Sequence, residues 1–505
     1  MSAPREAYDD LIQRVHEIAL LGSCSGLLHW DRETYMPPKG AEHRAAQLSL
    51  LAGMTHEQFI DPRIGELIAA CEGTDLVADP LSAEAVNVRE LRRVYDRATK
   101  LPTELVEELA RVTSLAHGEW VQARQGKDFA RFQPWLEKIV ALKQREADCY
   151  GHEGSRYDAL LEDYEPGATT AWLRTVLEPL RDDLVALLDA IEGSAREPKT
   201  EILGRPYPVE RQKLFGRLAA AAVGFDFQAG RFDVVAHPFC SGIGPGDVRL
   251  TTRYDEHSFG DGFFSIIHET GHGLYDQGLD PAHWGTPMGE PVSLGIHESQ
   301  SRLWENQVAR SRPFWGRFFP IAQQFFPEAL GEVTLDDFYF AVNAVRPSFI
   351  RVEADEVTYN LHIILRFELE QALLSGELAA ADVPGAWNER FEALLGIVPP
   401  DDAQGCLQDV HWSGGGIGYF PTYTLGNLNA AQFMAAAGAA IPDLDEQIAA
   451  GAFGDLLAWL RESIHRRGQQ YRASRLAEVV TGEPLTHQPL MAHLRAKFEP
   501  LYDLS

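Results

Sequence analysis

Across the first 225 residues, apolar side chains return every three or four positions in one segment after another. The runs "YDDLIQRVHEIALL", "AEHRAAQLSLLAGMTHEQFI", "SAEAVNVRELRRVYDRAT", "LVEELARVTSLAHGEWVQAR" and "TTAWLRTVLEPLRDDLVALLDAI" all carry this spacing. It is the period of a helix that buries one face and leaves its charges on the solvated side. The interruptions fall where turn-forming residues gather, at "YMPPKGA" and "EPGAT". A mainly α fold is expected.

The pattern changes near residues 230–260. "FDVVAHPFCSGIGPGDVRLTTRYDE" places Val, Thr, Phe and Tyr between Gly and Pro turns, which reads as a small β-sheet. Helical spacing returns over 262–375. Residues 405–430, "GCLQDVHWSGGGIGYFPTYTLGN", read as a loop, and the chain is helical again from about 430. No repeat, low-complexity linker or shift of composition marks off an independent domain. The expectation is one domain over 1–505, divided into 1–225, 226–430 and 431–505.

At 505 residues the chain can bury a large core without disulfides or a structural metal. Its net charge of −29 is spread along the sequence, which argues against nucleic-acid or anionic-membrane partners, since both need clustered Lys and Arg. Cys24, Cys71, Cys149, Cys240 and Cys406 are scattered and odd in number, as expected of reduced thiols in a cytoplasmic protein. The start "MSAPREAYDDLIQRVHEIAL" lacks the apolar core of a signal peptide, and no stretch reaches the ~18 apolar residues of a membrane span.

The chemistry is concentrated in "IIHETGHGLYDQG", residues 266–278. With Asp261 as N-cap and Gly278 as stop, 262–277 is a helix candidate. His268 and His272 then share a face and can point at one ion, with Glu269 turned by ~100° to reach a water beside it. Imidazole pairs of this kind suit zinc. In a chain of this composition, chance would place such an acidic pattern about 0.08 times. Gly271 and Gly273 each cost ~1 kcal/mol in a helix interior, so close approach by another segment is expected to require them. Asp276, one turn on, either accepts the second ring N–H of a ligand histidine or is solvated surface.

A third ligand is expected from "GIHESQSRLWENQVARS", which reads as a second helix with Ile296, Leu303, Trp304 and Val308 for packing. Glu298 and His297 are both candidates, and spacing alone does not separate them.

"HETGH" followed by "HESQSR" resembles the carboxypeptidase Taq family of metallocarboxypeptidases. The resemblance extends over nearly the whole chain, through "WDRETYMPPKGAEHRAAQLSLL", "HPF" at 237–239, "DVRLT" at 247–251, "IRVEAD" at 350–355 and "GCLQDVHW" at 405–412. It implies a neurolysin-like helical zincin with a small β-sheet beside a deep active-site groove, of which 1–225 would form a helical wall. It also implies one Zn2+ per chain on His268, His272 and Glu298, with Co2+ able to substitute, and a homodimer. The activity implied is release of single residues from peptides with a free C-terminal carboxylate. An oligopeptidase cutting internal bonds of short peptides is the alternative.

Roles follow from what peptide hydrolysis needs. Glu269 is the expected general base. His411 and Tyr419, in the glycine-rich "HWSGGGIGYF", are the expected oxyanion donors, with Tyr423 in reserve. Arg351 is the first candidate for the substrate carboxylate and Arg249 the second. Either can instead be held in an ion pair, with Asp355 or Asp247 as the nearby partner. "DVRLTTRYD" is a candidate edge strand for adding a peptide backbone, and His237 is expected to be structural.

Overall fold

Ser258 opens the helix that carries both histidines. Its side chain accepts the backbone N–H of Asp261, and the helix runs Phe259–Asp276. The start therefore lies three residues before the expected one. Asp261 sits in the first turn, where its charge favours the helix N-terminus, and the cap is a Ser. The apolar face of this helix is aromatic at its beginning. Phe259 and Phe263 stack at 5.5 Å, and Trp315 lies 5.2 Å from Phe263 and 4.7 Å from Phe338. These rings are all buried, and they fix the direction from which the helix enters the site.

The computed structural model describes residues 3–235 and 238–504. His237 lies outside the described residues. The chain folds into two compact units, each assembled from three separate segments. The first comprises Met1–Thr99, Lys199–Val342 and Phe433–Gly482, and the second Lys100–Pro198, Asn343–Gln432 and Glu483–Ser505.

The first unit holds the long helix Ala3–Thr34, whose Tyr8, Leu11 and Val15 pack with Ile64, Leu67, Ile68, Val88 and Leu91. It also holds the sheet, with strands β1 (Gly230–Val234), β2 (Cys240–Gly244) and β3 (Asp247–Thr252) in the order β1-β3-β2. β3 runs parallel to β1 and antiparallel to β2. Residues 247–252 are therefore the central strand. Both their edges are already hydrogen-bonded, so they are not the edge strand expected for backbone addition.

In the second unit the helix Tyr359–Ser375 is apolar on nearly every side and correspondingly buried along its length. Arg366 and Glu370 on it are fully buried. The loop after residue 405 is shorter than its composition implies. Pro421 begins a helix, Pro421–Ala440, because proline at a first helical position gives up an N–H that would have no partner there.

The five cysteines are free thiols. Among the described residues no helix is long and apolar enough to cross a membrane.

Candidate metal centre

Gly271 explains why the histidine helix tolerates glycine. A Cβ there would stand 2.5 Å from the carbonyl oxygen of Gln300 and 2.6 Å from the Cα of Ser301. The helix Leu294–Arg302 therefore crosses backbone against backbone at this point. Gly273 serves the other face, where a Cβ would come within 2.8 Å of Leu250 on β3 and of Phe225. The two glycines let the helix be gripped between the sheet and its partner helix.

That crossing brings Glu298 to the histidines. Its Oε2 lies 3.6 Å from His268 Nε2 and 3.3 Å from His272 Nε2. The donor atoms of His268, His272 and Glu298 all lie within 4.8 Å of one another. Glu298 Oε1 accepts from Arg302 Nε at 2.7 Å and Oε2 from Ser301 Oγ at 2.9 Å. Against the pull of burial, Arg302 and the two histidines hold this carboxyl well below its usual range.

Each histidine is fixed from behind. His268 Nδ1 lies 2.9 Å from Glu305 Oε2. Glu305 is in turn reached by Arg302 and Arg310 at 3.3 and 3.4 Å. Burial alone would raise the Glu305 carboxyl, but these arginines and His268 push it down to about 2. It is therefore anionic and can accept a hydrogen bond from Nδ1–H, which is the arrangement that orients ligating histidines. Glu305 lies on a π-helical stretch, Leu303–Ala309, that continues the second helix. Such local widening of a helix is common at functional sites.

His272 Nδ1 faces His297 Nδ1 at 2.6 Å, and His297 Nε2 lies 3.0 Å from Asp276 Oδ1. His297 thus stands behind His272, on the opposite side of the ring from Glu298. Asp276 reaches the histidine pair through His297 rather than by direct contact with a ring that borders Glu298.

With Nδ1 of His268 turned to Glu305, its Nε2 faces the Glu298 carboxylate. Burial and the neighbouring His297 push His272 down to about 4, so its ring is neutral and its Nε2 faces the same oxygen. Two imidazole nitrogens and a carboxylate oxygen, all within 4.8 Å of one another, are a donor set that a divalent cation takes. The residues fit a divalent metal ion.

Glu269 is buried beside this group. Burial raises its carboxyl to about 7, with Glu298 and Glu305 adding to the rise and His268 opposing it. No described residue donates a hydrogen bond to it, so its carboxyl oxygens are not committed within the protein.

The remaining expected residues are each held in networks of their own. Arg249, on β3, grips Asp247 through Nε and Nη2 at 2.8 and 2.7 Å and lies over the Trp30 ring at 4.3 Å. In the second unit, Arg351 pairs with Asp409 rather than Asp355. Its Nε and Nη2 donate to Asp409 Oδ1 at 3.1 and 2.8 Å, and its Nη1 to Tyr359 at 3.1 Å. Asp355 is occupied in capping its own turn through the N–H groups of Val357 and Thr358. Asp409 Oδ2 accepts from Arg366 Nε at 2.7 Å, so two guanidiniums share one carboxylate. His411 Nε2 lies 3.2 Å from the Tyr423 hydroxyl, and the His411 and Tyr419 rings are 5.2 Å apart. Burial, opposed by Asp409 and helped by Arg351 and Arg366, pushes His411 down to about 4.

Glu305, Arg302, Arg310, Asp409 and Arg366 were not among the expected site residues. Glu298, Arg302 and Glu305 carried a signal, since four- and seven-residue steps share a helix face. Asp409 and Arg366 carried none beyond their charge.

A helical body with two histidines and a glutamate gathered on crossing helices, beside a buried second glutamate, defines a helical zincin. The profile of the family described as Carboxypeptidase Taq (M32) metallopeptidase matches residues 10–498, and the chain belongs to that family. It is 50% identical over 508 aligned residues to thermostable carboxypeptidase 1 of Thermus thermophilus, with 99% of each chain covered. It is 36% identical to carboxypeptidase 1 of Bacillus subtilis, covering 98% of this chain and 97% of that one. The crystal structure of the M32 carboxypeptidase from Deinococcus radiodurans R1 is similar at a TM-score of 0.95, with 42% identity and 99% and 100% of the two chains covered. The protein is a peptide hydrolase of the metallocarboxypeptidase class.

Proposed function

We propose that the enzyme is a zinc carboxypeptidase that releases single residues from the free C-terminus of peptides, with Glu269 as general base. The observation that carries this reading is the convergence of His268, His272 and Glu298 within 4.8 Å, beside a buried carboxylate that no described residue engages. Two imidazoles and one carboxylate are a donor set that zinc takes in catalytic sites, where a fourth position stays open. When bound there, the ion supplies Lewis acidity towards the scissile carbonyl and lowers the pKa of a water to about 7.

The chain's own residues do the rest. Glu269 takes the proton of the attacking water and passes it to the leaving amine. Its raised carboxyl matches that task at neutral pH, and a cation nearby favours the ionised form that a base must have. Glu305 and His297 keep the rings of His268 and His272 from turning. His411 and Tyr419 are assigned as donors to the developing oxyanion, contacts worth ~3–4 kcal/mol each when aimed at the transition state. In support, His411 is neutral and its ring stands 5.2 Å from that of Tyr419.

Arg351 is assigned to the substrate carboxylate, with Arg249 second. Three of the five N–H groups of Arg351 are committed to Asp409 and Tyr359, which leaves two on a guanidinium of fixed orientation. A cytoplasmic homodimer belongs to the same reading, and free thiols suit that compartment.

The test is purified protein with an N-blocked tripeptide carrying either a free or an amidated C-terminus. The reading requires release of the last residue from the free acid, none from the amide, loss of activity in chelator and recovery with zinc or cobalt. Chelator-insensitive cleavage would overturn it. Equal cleavage of the amide would favour the internal-bond alternative.

A further inference from the structure

Glu370 is a fully buried carboxylate with no cation paired to it among the described residues. Three donors converge on it instead. Trp412 Nε1–H donates to Oε1 at 2.9 Å, and the Tyr157 hydroxyl and the Gly418 N–H donate to Oε2 at 2.8 and 3.1 Å. Burial raises its carboxyl to about 7 against the pull of these donors and the more distant charge of Arg366. A carboxyl in a dry interior without a paired cation is costly, and an apolar residue of similar size there would cost less. What it holds accounts for its presence.

Two of its three donors flank the glycine-rich loop. Trp412 follows His411, and Gly418 precedes Tyr419. Between them lie Gly414, Gly415 and Gly416, residues that lose more conformational freedom on ordering than any others. Gly418 itself has φ +93, and a Cβ there would stand 3.2 Å from the Leu160–Leu161 backbone. A bulkier residue cannot stiffen the loop at that point, so beyond the burial of Trp412 and Ile417 its order rests on hydrogen bonds.

We infer that Glu370 is a positioning residue of the peptidase reaction: its one carboxylate clamps both ends of the glycine loop and thereby fixes His411 and Tyr419 in the orientation in which they donate. The inference rests on the assignment of those two residues as oxyanion donors. Glu370 touches no substrate in this account and acts only through the loop.

Glu370→Gln keeps the shape, but a carboxamide offers one acceptor oxygen and sets its NH2 against a donor on the other side. Hydrogen exchange of the 411–420 amides should rise roughly 10-fold, the scale of leaving a buried donor without its acceptor. The 259–276 amides and the metal content should stay at wild-type values. In steady state, kcat should fall by roughly 10-fold with KM within about twofold, as for an interaction felt in the transition state. Trp412→Phe, which removes only the donor beside His411, should shift exchange and kcat in the same direction by less, and it serves if Glu370→Gln does not fold. The Glu370→Gln/Tyr419→Phe double variant should lose less than the product of the single losses, because both act through one group.

Multiplicative losses would overturn the inference, as would wild-type exchange and kcat in Glu370→Gln while His411→Ala is impaired. Wild-type kcat in both His411→Ala and Tyr419→Phe is a different result. It sinks the donor assignment itself and, with it, the clamp's role in the reaction.

Discussion

Glu305 Oε2 and His268 Nδ1 lie 2.9 Å apart, and the carboxylate that makes this contact is held anionic by Arg302 and Arg310. Arg302 also donates to Glu298 at 2.7 Å, so one guanidinium braces a proposed metal ligand and the partner behind another. Glu305→Gln retains the shape and weakens the brace. Zinc affinity is expected to fall about 10–100-fold, the usual cost of losing such an outer partner. Competition against a chelating dye measures it, and excess zinc should restore most of the activity. Unchanged affinity would show that the His268 ring is fixed by something else.

The two-glycine helix makes a prediction whose sign opposes helix propensity. Alanine is favoured over glycine in a helix by ~1 kcal/mol, and Gly22, exposed in Ala3–Thr34 with nothing within 4 Å of a new Cβ, should follow that rule. Gly22→Ala is expected to stabilise by ~0.4–1 kcal/mol. At Gly271 the new Cβ meets the backbone of Gln300 and Ser301 at 2.5 and 2.6 Å, which neither side can relieve cheaply. Gly271→Ala should destabilise by ~1–3 kcal/mol and loosen metal binding by prising Glu298 away. Urea midpoints of the two variants decide it. A stabilised Gly271→Ala would mean that the helix crossing is not as close as described.

The histidine helix and the Glu298 helix were legible because both signals are local. A 3.6-residue period, a pair of imidazoles one turn apart and glycines where propensity forbids them all lie within a dozen or so residues of sequence. The exact start was not legible, because Ser258 and Asp261 are both good caps and only the geometry shows that Ser258 accepts the Asp261 N–H. What depends on distant partners stayed hidden. The central place of β3 follows from pairing with β1 and β2 on either side, and nothing within "DVRLTTRYD" encodes strand order. Arg351 showed the same limit. The nearby aspartate expected as its partner, Asp355, is spent on local backbone N–H groups, and the residue it meets is Asp409.

Asp409 offers a prediction in pH. Burial raises its carboxyl, but Arg351 and Arg366 overcome this and hold it far below the usual range. A group depressed in the folded state contributes stability that is fully present above its unfolded pKa of ~3.9. That contribution is lost as the pH falls towards the folded value. Asp409→Asn leaves two buried guanidiniums without their shared anion, a loss of about 3–5 kcal/mol. The stability gap between wild type and variant should be constant from about pH 5 upward and shrink below about pH 4. Denaturant midpoints across that range test it. A gap that does not change with pH would show that the carboxylate is not what the arginines require.

The central claim gives two glutamates in one site different tasks, and zinc content measured beside turnover separates them most directly. Glu269→Gln removes the proposed base and leaves all three ligands, so it should bind zinc as wild type while kcat falls at least ~100-fold. Glu298→Gln weakens a ligand and removes a negative charge facing the ion, so it should lose zinc first and activity as a consequence. Added zinc should then partly restore Glu298→Gln and never Glu269→Gln. Wild-type zinc affinity in Glu298→Gln, or near-normal turnover in Glu269→Gln, would contradict the account.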